Sequence, residues 1–460
     1  MIKGNYSLHV AFILLTISNL TQAQPAGDTV IGLKDAVKIA VERYHALQAT
    51  KYEADATEKN QSIISYVRRP TLDAGYQANL ATANNLTGMF YPTGMLPMTG
   101  PPSDGNDYHP ATGSAASLLM NWQVLTFGQE KARSGVATAQ TDSKQLQWKQ
   151  EIFRHKINVI SSYLDLLLAY HQVIIHLHNI ERIQANLKQS RVLVITGIKP
   201  GVDSALFLSE LSKAKVERLK ASENFINNQL SFARLIVSDL QPIPKDTNFL
   251  HSTPGQSMLE DQNVFNHPFI KYFQSLVTIN QRSEALLKKA YLPKLNLWAT
   301  AFSRGSGFYP SQSIKTFDGL GFQKYNYGAG FQLTFSIFKY AEVQRQLERQ
   351  EFLTKGSQEI LQDQQLELGQ QLKLADATFA SSTAIATETE TQLKQAQYAF
   401  NAMQIRYNTG LVNFTDLIQT QYNLLKAELD LKTAFWNGWK SLLLQAAVAG
   451  DESIFLNQIK

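Results

Sequence analysis

The chain contains no cysteine among its 460 residues. This absence excludes structural disulfides, thiolate zinc sites, cysteine nucleophiles and an acylated N-terminal cysteine that would anchor the chain to lipid. Charged residues make up 18% of the chain, below the usual share of about 25%, and both signs are interspersed within a net charge of +5. Because nucleic-acid partners select for clustered basic residues, no such partner is predicted.

Catalytic signatures are missing as well. The sequence has no phosphate-binding Gly-Lys-Thr loop, no His-Glu-x-x-His zinc motif and no nucleophile elbow. His171, His176 and His178 are separated by five, two and seven positions, whereas ligands on one helix face are three or four residues apart. The sequence therefore predicts neither an enzyme nor a metal or cofactor site.

Long apolar runs are scarce, and the clearest one lies at the N-terminus. Lys3 precedes the apolar residues 10–20, which are followed by Thr21-Gln22-Ala23. That layout predicts a secretory signal peptide over residues 1–23. The apolar run is too short for the alternative, a membrane helix, which needs about 20 apolar residues. No later stretch is long and apolar enough for such a helix, so any membrane passage is predicted to use strands.

Two halves of the chain repeat one another. Thr196-Gly197-Ile198 with Asp203 recurs 213 positions later as Thr409-Gly410-Leu411 with Asp416. Nearer the start of each half, Pro70-Thr71-Leu72 has a counterpart 223 positions later. The pattern predicts a duplicated unit of helix, strand, strand, very long helix and helix.

This repeat sets the predicted boundaries. The first repeat covers residues 24–240, with strands at about 71–85 and 112–125 and a long helix at about 128–195. The second covers residues 263–460, with strands at about 295–304 and 325–338 and a long helix at about 341–408. Residues 241–262, rich in proline and polar side chains, are predicted to form a linker, or equatorial segment, between them.

Most of the predicted strands alternate apolar and polar residues. In the first, Leu72 and Tyr76 point to one side and Asp73 and Gln77 to the other. The pattern suits a transmembrane barrel with a watery lumen, and it equally suits a half-buried soluble sheet. The third strand, from Leu295, is apolar on both faces, so its register is open.

The predicted long helices are outliers in length. Residues 129–195 contain no proline and a single glycine, Gly135, which permits a rod of about 100 Å, whereas globular helices average about 11 residues. In the second long helix, apolar and small residues recur at spacings of three and four, a coiled-coil rhythm. The seam includes Leu368, Leu372, Ala375, Phe379, Ser382, Ala386, Thr389 and Leu393.

In this order and duplicated, the motifs resemble the TolC family of outer-membrane efflux proteins. The strongest local match is residues 406–417, Arg406-Tyr407-Asn408-Thr409-Gly410-Leu411-Val412-Asn413-Phe414-Thr415-Asp416-Leu417, which is similar to that family's helix-turn-helix tip. The resemblance covers nearly the whole mature chain. It implies a mainly α fold with a membrane β-barrel portion, in which three protomers build a twelve-stranded barrel continued by a twelve-helix coiled-coil tunnel.

The resemblance also implies a function and partners. It implies the outer-membrane channel of a tripartite efflux or type I secretion system, which passively conducts substrates from the periplasm to the exterior without a cofactor. The implied partners are two further copies of the chain, outer-membrane lipid, a periplasmic adaptor (membrane fusion) protein and an inner-membrane pump. The location would be the bacterial outer membrane, extending into the periplasm without a lipid anchor, and the cargo is open among drugs, metal ions, dyes and polypeptides.

The same resemblance selects the residues of the periplasmic tip. In the family, tip residues that include an arginine and a pair of carboxylates hold the tunnel shut. Here Val412 stands at the arginine position, and Gln419 replaces the second carboxylate. An Asp in the first turn of a helix also suits capping, so both roles are open for the two aspartates. The candidate tip and gate residues are Gly197, Asp203, Tyr407, Gly410, Asp416 and Gln419.

Two other classes of protein fit parts of the pattern. A secreted or surface structural coiled coil explains the long helices but not the duplicated strand pairs. A periplasmic adaptor needs one helical hairpin inserted in a β-rich domain, whereas this chain has two hairpins and little other β content. For the channel, residues 86–111 and 304–324 are predicted to be loops outside the cell, with exposed aromatics at Phe90, Tyr91, Phe308 and Tyr309.

Overall fold

The computed structural model describes residues 29–66, 68–82, 84, 103–239, 241–255, 266–309 and 313–459. The predicted signal peptide, Phe90 and Tyr91 lie outside the described residues. The chain divides into two compact units. We call them the helical unit, formed by Met1–Thr50, Gln147–Lys271 and Asp363–Lys460, and the strand unit, formed by Lys51–Leu146 and Tyr272–Gln362.

Helices dominate both units. The α-helices are α1 (Leu33–Arg43), α2 (His45–Tyr66), α3 (Gln129–Ile195), α4 (Val202–Ile236), α5 (Pro268–Leu287), α6 (Lys339–Asn408), α7 (Phe414–Ala449) and α8 (Ser453–Leu456). The strands are β1 (Thr29–Ile31), β2 (Thr71–Ala81), β3 (Ala111–Leu125), β4 (Pro242–Pro244), β5 (Lys294–Ser306) and β6 (Lys324–Thr334). Short 3-10 helices occupy Thr247–Leu250 and Asp318–Leu320. No helix among the described residues is long and apolar enough to cross a membrane.

The helical unit has a core built around the N-terminal segment and the linker. β1 pairs in parallel with β4, and the fully buried Tyr163 places its hydroxyl 3.1 Å from the Ile31 carbonyl. The Asp246 carboxylate accepts a 2.7 Å hydrogen bond from the backbone N–H of Leu33 and so satisfies a free amide at the start of α1. Residues 242–250 of the predicted linker are therefore part of the core of this unit.

The strand unit contains one four-stranded antiparallel sheet in the order β2-β3-β5-β6. Residues that pair directly across antiparallel strands point to the same side of the sheet. Tyr76 pairs with Ala116, Ala116 with Ser303, and Ser303 with Tyr325, so these four residues form one row across the sheet. β6 ends at Thr334 rather than near 338, because its partner β5 begins at Lys294 and offers no residue beyond that pair.

Cross-strand pairing resolves the register of the third long strand, β5. One side of the sheet, which we call the apolar face, carries Leu72, Ala74, Tyr76, Ala78, Leu80, Ala116, Leu118, Met120, Trp122, Leu297, Ala299, Ala301, Tyr325, Tyr327, Ala329, Phe331 and Leu333. The other side is the polar face. Trp298 belongs to the polar face although it is aromatic. Its indole lies over Gly330 on the neighbouring strand, where an added Cβ would be 3.0 Å from the ring, so the glycine leaves room for it.

Residues 315–323, which we call the return segment, fold back against the apolar face at the hairpin end of the sheet. The Thr112 hydroxyl donates to the Thr316 carbonyl at 2.7 Å, and the Ser114 hydroxyl donates to the Gly319 carbonyl at 2.7 Å. The Phe322 ring meets the Tyr76 ring edge to face, with centroids 6.3 Å apart. The chain therefore crosses the face of the sheet instead of projecting away from it.

This folding back corrects the expected exposure of two aromatics. Phe308 and Tyr309 are half-buried, because Phe308 bridges to Ile314 and the Tyr309 hydroxyl donates to Asp318 Oδ2 at 2.8 Å. Among the described residues of this loop, the exposed aromatics are Phe317, 76% accessible, and Phe322, 41% accessible.

We expect Gly319→Ala to destabilise the strand unit, because the added Cβ would lie 1.7 Å from the Thr112 carbonyl oxygen. Overpacking of this kind typically costs about 1–3 kcal/mol. Thermal unfolding of the purified protein, followed by circular dichroism, measures the effect. Gly321→Ala is the matched control, since its Cβ would approach nothing closer than 3.9 Å; equal melting temperatures for the two variants would contradict the contact.

Candidate functional site

Both candidate turns of the helical unit end a long helix in the same way. At the end of α3, the Ile198 N–H donates to the Leu193 carbonyl and the Gly197 N–H to the Val194 carbonyl. At the end of α6, Leu411 donates to Arg406 and Gly410 to Tyr407 in the same pattern. These paired bonds define a Schellman motif, which needs a left-handed residue after the helix. Gly197 and Gly410 supply it with φ of +73° and +81°.

Asp203 and Tyr407 form a buried polar pair between the two helical hairpins. Asp203 lies in the first turn of α4 and Tyr407 in the last turn of α6, and the Tyr407 hydroxyl donates to Asp203 Oδ2 at 2.9 Å. Their exposures are 7% and 1%. Burial is the main cause that raises the pKa of Tyr407 to about 12, so the hydroxyl is a proton donor throughout the physiological pH range.

Aromatic rings surround this pair. The Phe207 ring packs edge to face on Tyr407, with centroids 5.8 Å apart, and on Phe414 at 4.7 Å. Such pairs add about 0.5–1.5 kcal/mol beyond the area that they bury. Phe207 on α4 and Phe414 on α7 thus join the starts of the two return helices, and they keep water away from the Tyr407 hydroxyl.

Lys199 connects the first turn to the second. Its Nζ donates to the Val412 carbonyl at 2.6 Å and lies 5.0 Å from the centre of the Tyr407 ring. The carbonyl belongs to the residue that stands at the family's arginine position. The Lys199 ammonium, which comes from the first turn, therefore lies at the position where the family has its arginine. Sequence comparison missed it because Lys199 matches no motif position.

Asp416 is placed differently from Asp203, although the two occupy equivalent positions of the repeat. The Asp416 side chain is exposed. The side chain that caps α7 is Asn413, whose Oδ1 accepts from the Asp416 N–H at 2.9 Å, so of the two roles left open for Asp416, capping is performed by Asn413. Where Asp203 has Tyr407, the equivalent position beside the first turn is Val194, which has no donor.

Gln419, the last candidate, lies one turn further along α7 and is exposed. Its Nε2 donates to Asn423 Oδ1 at 3.2 Å. The structure thus brings Asp203 and Tyr407 together at the two turns, and it places Asp416 and Gln419 on an exposed part of α7.

A ladder of three buried amides and the half-buried Gln404 lies next to the turns, and sequence reasoning did not single it out. Gln404 donates to Asn186 Oδ1 at 2.9 Å, Asn186 donates to Gln421 Oε1 at 3.1 Å, and Gln421 donates to Asn179 Oδ1 at 3.1 Å. The ladder joins α3, α6 and α7. The available signal was polar residues interrupting apolar helix seams, such as Asn179 and Asn186, which directly precede Ile180 and Leu187.

Among the described residues, no group of three or more histidine, cysteine, aspartate or glutamate side chains is placed to hold a metal ion. Burial is the main cause that lowers the pKa of His171 to about 4, which keeps this imidazole neutral near pH 7.

The fold matches solved outer-membrane channel structures. The outer-membrane channel OprN superimposes with a TM-score of 0.71 at 14% identity, covering 91% of this chain and 89% of that one. CusC gives a TM-score of 0.74 at 14% identity, with coverages of 94% and 96%. The Campylobacter jejuni CmeC outer membrane channel gives 0.71 at 13% identity, with coverages of 91% and 85%. Comparison with curated protein sequences gives no match.

The fold is therefore that of an outer-membrane channel protomer, and the predicted fold class is confirmed. Residues 281–434 match the sequence family described as Outer membrane efflux protein. This match and the fold together support the outer-membrane efflux channel that the sequence predicted, a passive channel component rather than an enzyme or a structural coiled coil. The family that residues 281–434 match is one of trimeric outer-membrane components of tripartite efflux systems, and the same comparisons support an outer-membrane location.

We expect Tyr407→Phe to loosen the two turns, because it removes the donor to a buried carboxylate. An unsatisfied buried polar group costs about 1–3 kcal/mol. Hydrogen exchange should then speed up in residues 195–203 and 406–414. Tyr398→Phe, on the same helix but 74% exposed, is the control and should leave exchange unchanged. Unchanged exchange in Tyr407→Phe would show that the hydrogen bond contributes nothing.

Proposed function

We propose that three copies of this chain assemble into one outer-membrane efflux duct, with each duplicated half contributing one strand pair and one long helical hairpin. The observation that carries the proposal is the sheet of the strand unit, whose register gathers most of the apolar residues of the four strands on one face. A face of this kind suits lipid, and a polar opposite face suits a water-filled lumen.

Trimerisation follows from the two edges of the sheet. β2 and β6 each have one neighbour among the described strands, and unpaired backbone groups are too costly in lipid to be left open. Pairing β6 of one copy with β2 of the next satisfies both edges, and three copies give twelve strands. With no cysteine in the chain, the duct would be held by these strands and not by an N-terminal lipid.

We infer that the turns at Gly197 and Gly410 form the periplasmic mouth of the duct and that the Asp203–Tyr407 pair holds them closed. The support is its position: the hydrogen bond joins the ends of two helices that would have to separate for the mouth to widen. Lys199 reinforces the contact from the other turn. The same exposed turns are the surface we assign to a periplasmic adaptor, through which an inner-membrane pump would act.

Asp416 is the residue that we assign to the electrostatics of the mouth. Its carboxylate is exposed, and within the described residues it accepts no hydrogen bond. Three symmetry-related copies near the axis would concentrate negative charge and attract cations. Gln419, one helical turn away and uncharged, adds hydrogen-bonding groups but no charge to this rim.

Assembly is tested on protein extracted from outer membranes. Because isolated sheet edges are unfavourable in lipid, we expect a trimer that stays monodisperse only in detergent or a lipid disc. Light scattering with detergent correction gives the mass of the particle. A monodisperse monomer that is soluble without detergent would refute the proposed duct.

The pore role of Asp416 is tested by Asp416→Asn, which keeps the size of the side chain and removes its charge. We expect normal trimers with lower cation selectivity in single-channel recordings, since the field at the mouth weakens. Asp203→Asn is the matched control, because Asp203 is buried, and it should change selectivity less. Loss of trimer stability in Asp416→Asn with unchanged selectivity would contradict the assignment.

A further inference from the structure

The return segment presents an exposed apolar surface that the efflux function does not require. Phe317, Leu320 and Phe322 are 76%, 50% and 41% exposed. The Phe322 ring packs against Tyr76, which shares a row of the sheet with Tyr325, and these two tyrosines are themselves 65% and 75% exposed. A loop at the mouth of a water-filled duct has no need to display such side chains to water.

The residues that contact the return segment show which face of the sheet it covers. Thr112 and Ser114, which hold it, pair directly with Leu80 and Ala78 and therefore lie on the apolar face. Gly305, the partner of Ser114, belongs to the same face, and a Cβ there would lie 1.9 Å from the Gly321 carbonyl oxygen. The segment thus lies directly on the side of the sheet that the proposed duct turns toward lipid.

Backbone N–H groups of the return segment are paired inside the hairpin, as contact with a non-aqueous neighbour requires. The N–H groups of Lys315, Asp318, Leu320, Gly321 and Gln323 all donate to carbonyl oxygens within the hairpin. Each such group would cost several kcal/mol if it faced hydrocarbon without a partner. A loop that stays in water does not need this internal satisfaction.

The charges of the segment are also satisfied internally. Lys315 Nζ lies 3.7 Å from Asp318 Oδ2, which also accepts the Tyr309 hydroxyl, and the ammonium sits 5.4 Å from the centre of the Tyr309 ring. The surface formed by Phe317, Leu320 and Phe322 therefore carries no unpaired charge. That composition fits the boundary between lipid headgroups and acyl chains, where aromatic side chains concentrate.

We propose that the return segment, residues 315–323, is a lipid anchor that inserts Phe317, Leu320 and Phe322 into the headgroup–acyl boundary of the outer leaflet. The proposal rests on the proposed function, because it takes the apolar face as lipid-facing. A neighbouring protomer is a poorer occupant, because the segment is fastened to β3, in the middle of the sheet, while protomers would meet at β2 and β6.

The absence of cysteine makes a direct test possible, since a single introduced cysteine takes one spin label. Three exposed positions are labelled in separate variants: Phe317→Cys in the segment, Phe331→Cys on the apolar face, and Lys324→Cys on the polar face. Each trimer is reconstituted into phosphatidylethanolamine–phosphatidylglycerol vesicles. Collision with oxygen, which concentrates in lipid, is compared with collision with a water-soluble nickel chelate. Leu320→Cys serves as a second probe if Phe317→Cys fails to form trimers.

We expect the oxygen-to-nickel collision ratio at position 317 to be several-fold above that at 324 and to approach that at 331. A ratio at 317 equal to that at 324 would place the segment in water and overturn the anchor. A label at 317 shielded from both reagents would indicate a protein contact and also overturn it. If the label at 331 is itself in water, the proposed duct fails, and that result is distinct from failure of the anchor alone.

Discussion

The structure depends on one constraint: each backbone N–H and C=O that leaves water must find a partner. The long helices satisfy it internally and end in Schellman motifs, where Gly197 and Gly410 let the chain reverse while their own N–H groups stay bonded. The sheet satisfies it through an antiparallel ladder that joins the two repeats at β3 and β5, with one register shift between Gln123 and Leu125. The return segment satisfies it through bonds to its own hairpin. The turns at Gly197 and Gly410 and the internally paired backbone of the return segment both follow from this requirement.

Duplication preserved the backbone of the two turns and let their side chains diverge. The hydrogen-bond pattern is the same at Gly197 and at Gly410. Around them, Asp203 is buried against Tyr407, whereas Asp416 is exposed because the equivalent of Tyr407 is Val194. The two turns thus carry different groups, a buried contact between hairpins at one and an exposed charge at the other.

Polar groups inside the helical unit decide how its helices align. The amides of Asn179, Asn186, Gln404 and Gln421 bond to one another in one arrangement of α3, α6 and α7. Sliding one helix along another would leave buried amides unpaired, which costs about 1–3 kcal/mol each. Apolar seams alone tolerate such shifts, so polar residues in a seam specify register. Arg182 on α3 donates to both carboxylate oxygens of Glu428 on α7, at 2.7 Å each, and this bidentate contact aligns the two helices in the same way.

The sequence by itself determined the duplicated plan, the two long helices and the turn glycines, because these depend on local periodicity and on the φ that glycine allows. It also selected Asp203 and Tyr407, through a motif shared with a family. Only the tertiary structure decided the face of β5, the burial of Asp203, the approach of Lys199 to Val412 and the path of residues 315–323. Each of these depends on contacts between residues far apart in the chain, such as Ser114 and Gly319, and no local pattern encodes which distant partner a side chain will meet.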